Sequence, residues 1–257
     1  MISVMLSLVL LLSFFELFIF IERNIHQQAA LNQIQHNAET VIGALRSSIH
    51  QAGYIGCARL TADFPIHNNT AYSLTSRNKI QALNAGPLIV RHASNTHATL
   101  LKTMQDHFII HANKTIHFYP NDVLLISDCK SADIFKVKYV YTTRGMQKMM
   151  PDTALHHAYA KNSEIARLVW NEYRIESAKN NHKKTLYMED IHHQKIPLVD
   201  DVEEIHIDAT VRQDSSYKEI SASQVDDWSK VVGLSIALTL SAPPYKKRWY
   251  TYIWVNE

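Results

Sequence analysis

The chain has 257 residues with 26 Lys+Arg against 24 Asp+Glu, and a formal charge of +2 excludes a surface built mainly for a polyanion. Six glycines in that length exclude collagen-like and Gly-rich linker chains, and their scatter leaves neither a GxGxxG nor a GxxxxGK[ST] phosphate loop. Two cysteines exclude a four-cysteine zinc site, and their spacing excludes a CxxC redox motif.

Chain order begins with an apolar run. Seventeen of residues 1–21 are apolar, the others being Ser3, Ser7, Ser13 and Glu16. About 20 helical residues cross a hydrocarbon core of ~30 Å, so this stretch is long enough to be a transmembrane half-helix. No basic segment precedes it and no small-x-small cleavage site follows it, so it does not read as a cleaved secretory signal. Glu16 either marks a contact between helices or lies near enough to the end of the span to snorkel.

No break follows. Between Ile25 and Ala52 there is no Pro, and the one Gly is Gly43. Ile34, Ala38, Val41, Leu45, Ile49 and Ala52 recur at helical spacing and form one apolar stripe, with Gln27, Gln28, Gln33, Gln35, Glu39 and Arg46 on the remaining surface. The expectation is a continuous helix of roughly 50 residues, about 75–80 Å long. Residues 1–21 form its membrane half and 22–55 its amphipathic half, and the stripe packs against a β-rich head, 56–257.

Within the head, strands are expected at 88–92, 107–111, 115–119, 122–127, 134–142, 167–176, 184–189, 205–211, 231–240 and 249–255. Phe135, Val137, Tyr139 and Tyr141 alternate with Lys136 and Lys138, and Ile205 and Ile207 with His206 and Asp208. Alternation of this kind implies antiparallel sheet with one buried face. Stretches 60–87 and 143–166 lack periodicity and read as surface loops.

Cys57 and Cys129 either pair or stay as two buried thiols. A head outside the cytosol makes pairing the expectation, and closing 72 residues is worth about 4.4 kcal/mol on the chain-entropy model.

Signals for catalysis are weak. Fifteen histidines include the close pairs His107/His111, His156/His157 and His192/His193 but no HExxH, and neighbours on a strand point to opposite faces. Ser76–Lys79, Ser127–Lys130 and Ser215–Lys218 have the SxxK spacing that on a helical turn lets a lysine activate a serine, yet KTG, SDN and GxSxG are absent. Lys246, Lys247 and Arg248, followed by Trp249, Tyr250 and Tyr252, form a candidate contact patch. Three cations are too few to make nucleic acid the expected partner.

Four segments carry a family resemblance. Gln51-Ala52-Gly53-Tyr54-Ile55-Gly56-Cys57, Asp122-Val123-Leu124-Leu125-Ile126-Ser127-Asp128-Cys129-Lys130-Ser131-Ala132-Asp133-Ile134-Phe135, Leu198-Val199-Asp200-Asp201-Val202-Glu203-Glu204-Ile205, and Trp228 with 231–240 resemble stretches of PilW-type minor pilins of the type IV pilus. Asp201 stands where glycine is usual in that family, and the second segment is the most specific. Both cysteines fall in matching motifs. The prepilin leader, with its cleavage glycine and the glutamate after it, is missing, as from an N-terminally clipped sequence.

The resemblance implies an α+β, type IV pilin-like fold in which a long N-terminal helix packs on an antiparallel β-sheet head. It implies a non-enzymatic subunit of the complex that initiates pilus assembly and sits at the tip. Its partners would be other minor pilins, the major pilin and the bacterial inner membrane, with a periplasmic head and neither cofactor nor small-molecule substrate. A minor pseudopilin of type II secretion has the same architecture. A membrane-tethered periplasmic hydrolase, using a Ser/Lys or His constellation, is the alternative of a different class.

Overall fold

A computed structural model describes residues 2–68, 70–143, 145–177, 184–213 and 216–255, with residues 2–10 as backbone alone. Its first element is the helix α1, Ile2–Gln51, whose 50 residues correspond to about 75 Å. Gly43 does not disturb it, because a side chain there would point into open space. The helix stops at Gly53, whose φ of 72° lies in the left-handed region that glycine enters without cost. The Gly53 N–H then leaves the helical ladder and donates to the Arg91 carbonyl at 2.9 Å, docking the helix end on a strand.

Among the described residues fourteen strands follow. They are β1 (Ile66–Asn68), β2 (Ile80–Ala82), β3 (Leu88–Thr99), β4 (Ile110–Ala112), β5 (Val123–Ser127), β6 (Ala132–Thr143) and β7 (Met146–Pro151). After them come β8 (Glu164–Ser177), β9 (Lys184–Glu189), β10 (Lys195–Asp200), β11 (Val202–Gln213), β12 (Ser216–Ser221), β13 (Val231–Ala242) and β14 (Tyr245–Trp254).

The expected α+β class, a pilin-like long helix on one antiparallel head, is overturned. Strands make up 47% of the structure and helix 20%, as one helix and two large antiparallel sheets, so the fold is mostly β. The physical reason lies in pairing partners that no local pattern announces. Segments 60–87 and 143–166, expected as loops, contribute β1, β2, β7 and the start of β8, while 115–119, expected as a strand, is not one.

The ten-stranded sheet runs β10-β9-β8-β5-β6-β7-β4, with β3 on the other edge of β8, β2 beside β3, and β1 parallel to β6. It closes on itself. Beyond β3, Leu100 bridges Ala112 of β4, and the Leu101 N–H donates to the His111 carbonyl at 2.7 Å, so β3, β8, β5, β6, β7 and β4 form a ring. Ala98, Leu124, Ile126, Phe135, Val137 and Ile165 fill its interior. Alternate residues of the same strands, among them Val123, Leu125, Ile134 and Leu168, face outward and are covered by a strap at 54–74 carrying Ile55, Leu60 and Leu74.

The four-stranded sheet, β12-β11-β13-β14, receives the helix. Ile205, Ile207, Leu234, Ile236, Leu238 and Ile253 point toward α1, and Leu88, Val90, Tyr173 and Leu186 of the first sheet complete the same core. The second half of α1 is therefore the wedge that joins the two sheets.

Candidate functional site

The two halves of α1 meet different surroundings. Ile34, Ala38, Val41, Leu45, Ile49 and Ala52 are at most 2% exposed, sealed against β3, β10, β13 and β14. Arg46 donates to the Thr251 hydroxyl at 3.3 Å and pins the helix beside β14. Between residues 11 and 33, by contrast, not one residue is buried. Leu11, Leu12, Phe14, Phe15, Leu17, Phe18 and Phe20 are each 53–68% exposed and together occupy every side of the helix. Residues 11–29 of α1, about 28 Å, thus stand clear of the head, and of these 11–21 carry apolar side chains all round. Residues 1–10 of the expected span lie outside the residues whose side chains are described. Among the described residues no helix is long and apolar enough to cross a membrane.

Where the helix ends, the chain is stapled. Cys57 and Cys129 are bonded, with Cα atoms 5.5 Å apart and a sequence separation of 72. The bond ties the strap over the ring to the β5–β6 turn. Within that turn Cys129 holds φ 68°, and the Asp128 carboxylate accepts from the Lys130 and Ser131 N–H groups at 3.0 and 2.9 Å. Burial raises the Asp128 carboxyl, but those hydrogen bonds and one from the Ser131 hydroxyl outweigh it and hold the group below its ordinary value. Ser127 is fully buried, accepts from the Cys129 N–H and donates to the Ser131 carbonyl, while Lys130 is exposed. Its hydroxyl is spent on the turn, so Ser127–Lys130 is not a nucleophile–base pair. Ser215 lies outside the described residues. Ser76 and Lys79 line an open cleft of about 780 Å³ between the sheets, together with Arg212 and Lys230.

The histidines assemble in a way spacing did not announce. His67 of β1 stacks on His156 with centroids 3.6 Å apart, and His157 lies against Tyr159 at 4.4 Å. The Ser131 hydroxyl meets His157 Nε2, and Asp133 Oδ2 lies 4.0 Å from His157 Nδ1. That order is the order of a Ser/His/Asp triad, but its geometry is not. At 4.0 Å the carboxylate does not hold the imidazole tautomer, and Asp133 Oδ2 already accepts from the Tyr159 hydroxyl at 2.8 Å while Oδ1 accepts from the His156 N–H. Burial, then the adjacent Asp133 charge, raises the Tyr159 phenol. The cluster is a clamp that fixes the 152–163 segment to the start of β6. Among the described residues no group of three or more His, Cys, Asp or Glu is placed to hold a metal ion.

Lys246, Lys247 and Arg248 lie exposed along β14. Lys247 lies over the Trp249 ring at 5.1 Å and Arg248 over the Tyr250 ring at 5.4 Å.

No family model, no curated protein and no solved structure matches this chain.

Proposed function

We propose that the chain is a non-enzymatic assembly subunit that enters a membrane and then a helical bundle through the first part of α1, in the manner of a PilW-type minor pilin. One observation carries the reading: α1 is apolar on every side and unburied from residue 11 to 21, turns polar at Glu22, Arg23 and Asn24, and is sealed on one side from Ile34 onward. In water, that much exposed Leu, Ile and Phe costs roughly 25 cal/mol per Å², so the segment requires an apolar environment or other helices. Head integrity then falls to the Cys57–Cys129 staple and the helix stripe. α1 and the resembling segments support this reading; the two-sheet head departs from the expected one.

Co-purification tests it. Full-length chain, tagged at its C-terminus and extracted from the inner membrane of a piliated host, is expected to carry other minor pilins and the major pilin with it. Recovery only in the soluble fraction, or consistent absence of pilins from the membrane-extracted complex, overturns the proposal.

A further inference from the structure

The face of the β12-β11-β13-β14 sheet turned away from α1 is not a flat polar surface. The strand register sorts its side chains into three parallel bands. On β13 the outward residues are Gly233, Ser235, Ala237 and Thr239, all small, and they make a floor. Their partners on β14 are Trp254, Tyr252, Tyr250 and Arg248, which make an aromatic wall. On the other side Thr210, Asp208, His206 and Glu204 of β11 pair with the same four floor residues, and Glu219 of β12 extends that wall. The result is a groove of about 500 Å³, aromatic on one side and carboxylate-bearing on the other.

Its shape and chemistry select an occupant. Two strand spacings separate the walls, about 10 Å, too narrow for a helix with side chains at 10–12 Å. Every floor residue lies on a strand paired on both sides, so an extended peptide cannot add as a further strand there. Asp208, Glu204 and Glu219 repel a phosphate backbone. Tyr250 is 74% exposed, with Arg248 over its ring, and Tyr252 and Trp254 meet edge to face at 4.9 Å. The carboxylate of Asp208 is held by His206 at 3.3 Å. Flat C–H faces suit the aromatic wall, and hydroxyls that donate suit the acidic one. At Gly233 the Tyr252 hydroxyl lies directly over the strand, where a Cβ would collide with it, so Tyr252 closes that end of the floor.

We propose that this groove binds a linear, uncharged oligosaccharide, lying along β13 between Tyr250 and Asp208. Because α1 packs on the opposite face, the groove stays open whatever α1 docks into, and the proposal stands independently of the pilin reading.

Titration of the full chain decides it, in a zwitterionic detergent without a sugar headgroup, since alkyl maltosides would compete. Chitohexaose, cellohexaose and maltohexaose serve as separate probes, read by tryptophan fluorescence and calorimetry. Saturable binding of at least one is expected, weakened about tenfold or more in Tyr250→Ala and in Asp208→Asn, and lost in Ala237→Gln, which fills the floor. Tyr250 is exposed, so an unchanged melting temperature will show that its variant is folded. No binding of any of the three, equal binding by wild type and Tyr250→Ala, or competition by an extended peptide or oligothymidylate that survives Asp208→Asn overturns the proposal.

Discussion

Individual residues in this protein are decided by what surrounds their polar atoms. Asp133 is fully buried, and the Tyr159 hydroxyl and the His156 N–H donate to its two side-chain oxygens. Tyr159→Phe removes the hydroxyl and leaves a buried carboxylate oxygen short of a donor, which costs about 1–3 kcal/mol. The measurement is urea unfolding, with a lower midpoint at unchanged m expected. His92 shows the opposite problem. Burial lowers its pKa from 6.5, and its ring is held by the Ala93 carbonyl at 2.8 Å. A depressed histidine pKa means that the unfolded chain takes up the proton first, so stability is full above 6.5 and falls as pH drops through and below it. Melting temperature is therefore expected to fall between pH 7 and pH 5, and to fall less in His92→Gln. An equal slope in both proteins would place the acid sensitivity elsewhere. Nothing in the sequence distinguishes His92 or Asp133 from the other histidines and acids, because burial comes from strands far along the chain.

At the scale of single elements, α1 is the most legible part of the molecule. Its stripe repeats at 3.6 residues and has no Pro to interrupt it, and those six residues are the ones at most 2% exposed. Leu45→Ala should cost 2–5 kcal/mol by leaving a cavity between the sheets, whereas Phe14→Ala should leave the unfolding midpoint of the head unchanged. Loss of midpoint in the Phe14 variant would show that the projecting half packs on the head. The long strands β6, β8, β11 and β13 also announce themselves through alternation or β-branched runs. Short ones do not. β1 and β2 have three residues each, too few for a period, and β10 begins with Lys195 and contains Pro197, which argues for an edge. Likewise His156 and His157 look like an ordinary surface pair until β1 brings His67 beside them. The groove on the outer sheet face was half visible, as the aromatic alternation of β14, but its acidic wall lies some 40 residues away on β11.

For the whole molecule, two sheets rather than one follow from non-local closure. Leu100 meets Ala112, β8 takes neighbours on both edges, and α1 fills the seam, none of which composition or periodicity encodes. That organisation predicts how the disulfide acts. Cys57 sits in the strap and Cys129 in the turn of the ring beneath, so the bond holds a cover on a barrel and not two strands of one sheet. Opening a 72-residue loop removes about 4 kcal/mol on the chain-entropy model, a large share of the 5–15 kcal/mol typical of a domain. The loss should be uneven. Ring strands keep their long ladders and the Phe135 core, while the strap keeps the three-residue pairing of β1 with β6, a few isolated backbone bonds and its apolar face. Hydrogen exchange on the Cys57→Ala, Cys129→Ala double variant should accordingly show amides of 54–68 and 70–74 losing protection first, with those of β5, β6 and β8 still protected. Uniform loss across ring and strap would mean that the staple supports the whole head as one cooperative unit. In either case α1 remains docked by its stripe, because most of its core comes from β10, β11, β13 and β14, which follow Cys129 in the chain.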